Sequence, residues 1–368
     1  MWRRAKRVET YFDSWQVLAF DREISTPASH GDYVSLGNIA NRNYLARVWH
    51  LTRALWRIRS AVKGASAVYC FSLDLLFMAW IATLFSNRKP RLAYEVADIR
   101  DALVGKGIAS SIFRSVERFL IKKVSIVVFT SQHFYEGYFK EVQGFDSFPY
   151  VVVEHKPELP RQVRESIVAP SSLPRPTTIG YFGLMKSVTS FNLLVDIARR
   201  SNGSFKILFR GMFVPPLDEK ACLDIIDSST DLNYEGPYKS PVDLPNMYPR
   251  VDIVWDAYNE TDNSQWQRTT RFSESMFFKT PMIVNVDTQD ERLAREFNLG
   301  LTVDISRPDE VIEALREIKD EEYREWCLNF ENLPDSLLYY GSEYAELAKA
   351  LKPERPFEGS FAVSHLTT

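Results

Sequence analysis

A glutamate and two arginines lie close together in the chain and could hold a nucleotide. Residues 250–286 contain Arg268, Arg271 and Glu274 around the predicted amino terminus of a helix. Free backbone N–H groups and the helix dipole favour an anion such as a diphosphate at that position. The two guanidinium groups would face phosphate oxygens, and the carboxylate would accept hydrogen bonds from the hydroxyl groups of a ribose.

The elements that position these side chains follow from hydrophobic periodicity. Residues 251–258 form a β-branched and aromatic run that predicts a strand, and residues 270–279 carry apolar side chains at helical spacing. Pro281 ends this helix, and residues 282–286 predict another buried strand. In an open parallel sheet the ligand lies beyond the carboxyl ends of the strands, next to the helix that follows.

We therefore predict that Arg268, Arg271, Ser273 and Glu274 bind a nucleotide. The alternative is that Glu274 only caps its helix and pairs with Arg271, one helical turn earlier. The sequence is equally consistent with both interpretations.

The segment RFSESMFFKTP, residues 271–281, resembles the donor-site helix of family-4-like bacterial glycosyltransferases of the GT-B fold. In that family a glutamate stands seven residues before the proline that opens the next strand, and it holds the nucleotide ribose. Here the two residues are Glu274 and Pro281. Many members have a second glutamate eight residues earlier that contacts the donor sugar, where this chain has Trp266. Asn263 or Gln265 would have to make that contact.

The same resemblance assigns roles to the segment GYFGLMKS, residues 180–187, which follows a predicted strand at 178–182. Gly183 would let the backbone approach the diphosphate, and Lys186 would supply positive charge. The family has an arginine where this chain has Leu184, so Arg210 or Arg271 would replace it. A surface lysine is the ordinary alternative for Lys186.

Tyr238 ends the segment YEGPY, which lies where the family binds the nucleotide base. An aromatic ring there could stack on the base. A turn with an exposed tyrosine explains the segment equally well.

Asp98 is the predicted catalytic residue of the first half of the chain. It follows a predicted strand at 92–96 and would remove the proton of the acceptor hydroxyl if the enzyme inverts configuration. In a retaining enzyme the leaving phosphate would take that proton, and Asp98 would position the acceptor. Alternatively, Asp98 caps a loop or pairs with Arg100. His133 is a second candidate, although a partly exposed helical histidine is the ordinary interpretation.

The alternation of strands and helices predicts an α/β protein with two tandem Rossmann-like domains facing a cleft, the GT-B arrangement. Residues 1–165 would form the acceptor-side domain, and the proline- and serine-rich residues 166–177 a linker. Residues 178–335 would form the donor domain. Residues 336–368 would be a C-terminal helix that crosses back to the first domain, followed by a tail.

The first domain is predicted to lack its first strand. The basic helix at residues 3–11 and the strand at 15–21, which ends near Asp21 and Arg22, resemble the family's second and third elements, but no strand precedes them. That strand is central in a doubly wound sheet, so its loss would leave neighbouring backbone groups unpaired. We expect that the protein starts upstream of Met1 or is a truncated variant.

Composition excludes several other classes of protein. The net charge of −3 argues against a nucleic-acid-binding protein, and the three cysteines and five histidines have no metal-ligand spacing, so no metal is expected. The apolar residues 69–85 are better explained by a strand followed by a buried helix than by a membrane span. The basic helix at 110–123, with Phe113 and Phe119, could rest on an anionic membrane or be an ordinary solvated helix.

Taken together, these features predict a cytoplasmic hexosyltransferase, either cytosolic or peripheral at the inner face of the membrane, that uses a nucleotide-diphosphate sugar and no cofactor. The acceptor would be a polysaccharide or a lipid-linked oligosaccharide of cell-surface polysaccharide biosynthesis. The alternative is a non-catalytic GT-B subunit that binds a sugar nucleotide or another transferase; Trp266, Leu184 and the missing strand favour it. The sequence leaves the sugar, the acceptor and the stereochemistry open.

Overall fold

The computed structural model describes residues 2–21, 33–38, 44–86, 89–170, 172–258, 262–352 and 360–365. The chain divides into two compact units, Met1–Glu154 with Gly341–Thr368, and His155–Tyr340. Each unit contains one parallel sheet with helices between its strands. The predicted α/β class with two Rossmann-like sheets is confirmed.

The second unit begins before the predicted donor domain. Residues 155–165, which the sequence assigned to the first domain, pack within it, as do the described residues of the predicted linker 166–177. The reason is a buried arginine: the Arg164 guanidinium donates hydrogen bonds to the carbonyl oxygens of Met276, Phe277 and Phe330.

The second unit holds a six-stranded sheet. Its strands are β7 (Thr177–Met185), β8 (Phe205–Phe213), β9 (Leu232–Tyr234), β10 (Ile253–Asp256), β11 (Met282–Asn285) and β12 (Gly300–Val303). Its helices are α6 (Arg161–Glu165), α7 (Val188–Arg200), α8 (Glu219–Asp227), α9 (Leu244–Met247), α10 (Thr270–Phe278), α11 (Gln289–Phe297), α12 (Pro308–Glu317), α13 (Asp320–Asn329) and α14 (Asp335–Leu338), with 3₁₀ turns at Tyr248–Arg250, Asp262–Gln265 and Phe330–Asn332. The strand order is β12-β11-β10-β7-β8-β9. Strands β10 and β11 are buried along their whole length, as expected when helices cover both faces of a parallel sheet.

The first unit holds a seven-stranded sheet. Its strands are β1 (Trp15–Asp21), β2 (Tyr33–Asn38), β3 (Ala65–Cys70), β4 (Arg91–Val96), β5 (Ile126–Phe129), β6 (Tyr150–Val152) and β13 (Ser360–His365). Its helices are α1 (Trp2–Glu9), α2 (Tyr44–Gly64), α3 (Leu73–Leu84), α4 (Asp101–Val104), α5 (Ile108–Ile121), a π-helix at Phe134–Val142 and α15 (Glu343–Leu351). The strand order is β2-β1-β13-β3-β4-β5-β6.

Strand β13 fills the position that the sequence predicted to be vacant. It pairs in parallel with β1, where Val363 lies opposite Val17, and with β3, where Val363 lies opposite Tyr69. The expectation that the neighbouring strands would keep unpaired backbone groups is therefore wrong. Backbone N–H and C=O groups need partners wherever these come from in the chain, and a C-terminal strand satisfies them as well as an N-terminal one.

The apolar residues 69–85 form the end of β3 and the whole of α3. Helix α3 packs against β3 and β4 and buries Leu75, Leu76 and Ala79, which confirms the predicted strand and buried helix. Within the described part of the chain, none of the helices has both the length and the apolar character needed to cross a bilayer.

Candidate functional site

The candidate site lies where the strand order of the second unit reverses. Strands β7 and β10 are neighbours there, and the chain leaves them in opposite directions across the sheet. Their carboxyl ends therefore form the switch point at which open α/β sheets bind ligands. Helix α10 begins at Thr270, shortly after β10, and presents its amino terminus to the same edge.

Two glycines shape the end of β7. The backbone of Gly183 has a φ of +97°, and a β-carbon added at Gly211 would lie 1.9 Å from the Gly183 carbonyl oxygen, so only glycine fits at position 211. Strand β7 continues beside β8 to Met185, so the strand predicted at 178–182 is longer than expected and Gly183 lies within it. A β-carbon at Gly183 would lie 3.8 Å from the Tyr238 hydroxyl and 4.0 Å from Arg271 Nη1. Gly183, Tyr238 and Arg271 thus converge.

Arg271 is held firmly at this point. Its Nε donates a hydrogen bond of 3.1 Å to Asp256 Oδ1, and its Nη1 donates one of 2.7 Å to the Phe182 carbonyl oxygen. The guanidinium also lies 4.9 Å from the centre of the Tyr181 ring. The positive charge beside Gly183 is therefore supplied by Arg271, although Leu184 occupies the position of the family's arginine.

Two buried aspartates, Asp256 and Asp290, fix the surroundings of Arg271. Asp256 Oδ2 accepts a hydrogen bond of 2.8 Å from the Thr269 hydroxyl, and Asp290 Oδ2 accepts one of 3.0 Å from the Thr269 N–H. Burial, followed by the charge of Asp256, raises the pKa of the Asp290 carboxyl well above its usual value. Asp290 therefore keeps its proton at a higher pH than an exposed aspartate does, while Asp256 is paired with Arg271.

Glu274 lies inside α10 with only 2% of its surface exposed. Its Oε1 accepts a hydrogen bond of 3.1 Å from the Ser240 hydroxyl, and its Oε2 accepts one of 2.9 Å from the Tyr248 hydroxyl. The cap of α10 is Thr269, whose hydroxyl accepts the Phe272 N–H. The alternative in which Glu274 caps its helix is therefore wrong, and its carboxylate is oriented by two hydroxyl groups.

The remaining predicted donor residues lie around this centre with less defined contacts. The Ser273 hydroxyl donates a long hydrogen bond of 3.5 Å to the Thr269 carbonyl oxygen within the helix. Arg210 Nη1 lies 3.8 Å from Glu235 Oε2. Lys186 is exposed, just before α7 begins, and half-buried Arg268 is close enough to Asp290 for its charge to oppose the rise in that carboxyl's pKa.

Trp266 takes the position of the family's second glutamate and is buried. Asn263 is buried as well, and its side-chain N–H donates to Gln267 Oε1. Gln265 is half-buried at the end of the 3₁₀ turn. A sugar contact from this segment would have to come from a side chain already packed into the unit or from Gln265.

Asp98 and His133 belong to the first unit. Asp98 is exposed and follows β4, while nearby Arg100 forms a salt bridge of 3.4 Å with Asp74. The backbone N–H of His133 donates a hydrogen bond to the Ser131 hydroxyl, and the imidazole Nε2 lies 3.7 Å from Glu136 Oε2.

Comparison with known proteins shows which sequences and folds this chain resembles. No family model matches the chain. Over 280 residues the chain is 26% identical to the succinoglycan biosynthesis protein ExoL of Rhizobium meliloti (strain 1021), a match that covers 74% of this chain and 69% of ExoL. Its structure resembles WaaG, a glycosyltransferase involved in lipopolysaccharide biosynthesis, with a TM-score of 0.64 and 12% identity over 95% of this chain and 94% of WaaG. HepE of Anabaena, solved with UDP and glucose, gives a TM-score of 0.62 and 11% identity over 91% of this chain and 99% of HepE.

The chain has the GT-B fold. The resemblance to family-4-like bacterial glycosyltransferases inferred from residues 271–281 is confirmed, and the similarity to ExoL supports a glycosyltransferase of polysaccharide biosynthesis.

Three residues of this GT-B site were missed from the sequence. Asp256, Thr269 and Asp290 hold Arg271 and α10, but none was proposed as a site residue. A usable signal was present: Asp256 ends the buried strand β10, and Asp290 lies at the start of α11, directly after β11. Polar residues at the carboxyl ends of neighbouring parallel strands meet at one edge of the sheet.

Proposed function

We propose that this protein transfers a hexosyl group from a nucleotide-diphosphate sugar to a polysaccharide or lipid-linked oligosaccharide, without a cofactor. One observation carries the proposal: Gly183, Arg271 and the amino terminus of α10 meet at the switch point of the second sheet, with Glu274 on the same helix. The resemblance to HepE, which was solved with UDP and glucose, and the similarity to ExoL support it.

Arg271 would stabilise the departing diphosphate. As the glycosidic bond to the diphosphate breaks, negative charge grows on the phosphate oxygens, and a preorganised cation beside them stabilises that charge without having to move. Loss of one such donor typically costs about 3–4 kcal/mol in the transition state. The bonds from Arg271 to Asp256 and to the Phe182 carbonyl oxygen supply this preorganisation.

Glu274 would hold the ribose hydroxyl groups, and Tyr238 would border the nucleotide. The Ser240 and Tyr248 hydroxyls keep the Glu274 carboxylate in one orientation. The ring of Tyr238 packs on the buried cluster that contains Phe182 and Tyr248, so its place beside Gly183 is defined. Lys186, Arg210, Arg268 and Ser273 are proposed as secondary donor contacts.

Asp98 is the proposed acceptor-side residue. An exposed carboxylate at the end of β4 could take the proton of an acceptor hydroxyl in an inverting reaction or position the acceptor in a retaining one. We also propose that the protein works at the inner face of a membrane, where lipid-linked acceptors are found.

Nucleotide binding tests the proposal. Calorimetric titration with a panel of nucleosides, nucleoside diphosphates and nucleotide sugars should identify one preferred base. Arg271→Ala should lower the affinity for the nucleoside diphosphate by about a hundredfold and the affinity for the nucleoside little, since only the diphosphate presents phosphate oxygens. Glu274→Ala should weaken both, because both contain the ribose. Lys206→Ala, at an exposed position of β8, is the matched control and should change neither.

The outcomes separate the two candidate functions. If the panel gives no binding to the wild-type protein, the donor site is rejected. Binding of a nucleotide sugar without transfer to any glycan or lipid-linked acceptor would favour the non-catalytic GT-B subunit, an alternative supported by buried Trp266 and by Leu184 in place of the family's arginine.

A further inference from the structure

Helix α5 of the first unit exposes four large apolar residues and buries a charged one. Ile108 is 84% exposed and Ile112 59% exposed, and Phe113 and Phe119 are exposed as well. On the inner side, Glu117 is fully buried and accepts hydrogen bonds from the hydroxyls of Tyr94 and Tyr138 and from the side-chain N–H of Gln143. Ile108, Ile112 and Phe119 recur at helical spacing, so they form one outward stripe.

The apolar surface continues onto α3. Phe77 is exposed, and the ring of Trp80 meets the ring of Phe119 edge to face at 5.0 Å. A shallow groove lies between the two helices and is lined by Phe77, Ile112, Val116 and Phe119 together with Ser111 and Ser115. Exposed Leu84 and Phe85 extend the surface at the far end of α3.

Helix α2 contributes an aromatic residue and positive charge. Trp56 is 76% exposed, and the Arg59 guanidinium lies 5.6 Å from the centre of its ring and 5.1 Å from that of Phe85, which joins α2 to α3. We call the exposed surface of α2, α3 and α5 the helical face.

Cations border the helical face. The exposed basic side chains on α2 and at α5 include Arg53, Arg59, Lys63, Arg118, Lys122 and Lys123. The three helices contain two acidic residues, and neither offsets the positive charge on the exposed surface. Asp74 pairs with Arg100, and Glu117 is buried. The face is therefore locally positive in a chain whose net charge is −3.

We propose that the helical face docks on the surface of a bilayer that contains anionic phospholipids. Large apolar and aromatic side chains in the centre would enter the headgroup region, and the bordering lysines and arginines would meet lipid phosphates. Charge decides against a second copy of this chain, because a two-fold contact would bring the same cations together. This inference rests on the proposed function in one respect: the proposed lipid-linked acceptor lies in a membrane and gives the protein a reason to bind one.

Vesicle co-sedimentation of the full chain tests the proposal. The wild-type protein should pellet with vesicles of phosphatidylcholine and phosphatidylglycerol, and much less with phosphatidylcholine alone. Ile108→Ser with Ile112→Ser should lower partitioning onto the vesicles about tenfold or more, because it removes two apolar side chains from the docking surface. Both side chains are exposed, so the substitutions should leave the packing of the protein intact. Lys122→Glu with Lys123→Glu should lower it at least about tenfold on anionic vesicles only. The matched control is Val168→Ser with Leu328→Ser, two exposed apolar residues of the second unit, which should leave partitioning unchanged.

Three results would overturn the proposal: no wild-type binding to anionic vesicles, equal binding by all variants, or a concentration-dependent dimer in sedimentation velocity that the Ile108→Ser and Ile112→Ser changes dissolve. None of these measurements involves a nucleotide, so the two proposals are tested independently. A negative vesicle experiment would not contradict the donor site, and a negative nucleotide titration would not contradict membrane docking by the helical face.

Discussion

The two sheets share the same doubly wound arrangement of strands in space. They differ in which part of the chain supplies the central strand. In the second unit, β7 comes first and takes the central position, giving β9-β8-β7-β10-β11-β12. In the first unit the corresponding central position belongs to β13, the last strand of the chain, between β1 and β3. If β13 is counted first, both sheets follow the doubly wound order. Backbone pairing and strand direction therefore define the architecture, and chain order does not.

The two units also use buried charge differently. In the first unit, the Arg4 guanidinium ties α1 to the sheet through a salt bridge of 2.9 Å to Glu95 and a hydrogen bond to the Val153 carbonyl oxygen. In the second unit, Asp256 and Arg271 form the corresponding buried pair at the carboxyl edge of the sheet. One pair ties a helix to its sheet, and the other orients the guanidinium that we propose binds the diphosphate.

The largest effect is expected from breaking β13. Val363→Pro removes a backbone N–H from the centre of the first sheet and should destabilise that unit by on the order of 4 kcal/mol or more. Limited proteolysis should then degrade residues of the first unit while a fragment near 155–340 stays protected. Val363→Ala keeps the N–H and should retain resistance. Equal resistance of both variants would show that β13 does not complete the sheet.

The next effect concerns the buried pair of the first unit. Arg4→Met leaves the Glu95 carboxylate buried without its cation and should lower the free energy of unfolding by about 3–5 kcal/mol, measured by urea denaturation. Adding Glu95→Gln removes the stranded charge and should restore part of the loss. A double variant as unstable as the sum of the two single variants would contradict this account.

A smaller effect is expected from the corresponding pair of the second unit. Asp256→Asn keeps the shape of the side chain but weakens the bond that orients Arg271, so the affinity for a nucleoside diphosphate should fall by about 1.5–3 kcal/mol. Affinity for the nucleoside alone should change little. Equal losses for both ligands would mean that Asp256 supports the whole site and not the arginine.

The smallest effect is a dependence on pH. Because folding raises the pKa of Asp290, its contribution to stability is fully present below the pKa of the unfolded chain, about 3.9, and is lost as the pH rises through the folded-state pKa. Asp290→Asn cannot ionise. The variant should therefore gain stability relative to the wild type as the pH rises, by up to about 1.4 kcal/mol for each pKa unit of elevation. A difference in melting temperature that stays constant with pH would contradict the raised pKa.

Much of the fold could be predicted from local pattern. Residues 69–85 predicted a strand and a buried helix, and residues 270–279 predicted α10, because apolar spacing along a few turns reports which side of an element is buried. The donor candidates Arg271 and Glu274 were accessible for the same reason: they lie three residues apart on one helix, next to the strand that aims them.

Contacts between distant residues were not accessible in this way. Nothing local in FRGMF indicates that Gly211 must leave room for the Gly183 carbonyl oxygen, or that Asp290 lies beside Asp256. The boundary at residue 155 likewise depends on where Arg164 finds its carbonyl partners, more than a hundred residues away.

The sequence by itself determined the two runs of alternating strands and helices and the strand, helix and strand of residues 250–286 that carry Arg271 and Glu274, because hydrophobic periodicity, caps and charge act over short stretches of chain. Only the tertiary structure decided which strand completes the first sheet, which cation lies beside Gly183, and which carboxylates hold it. Those choices depend on pairing of backbone groups and on burial of charge, and both are satisfied by partners that are near in space and far apart in the chain.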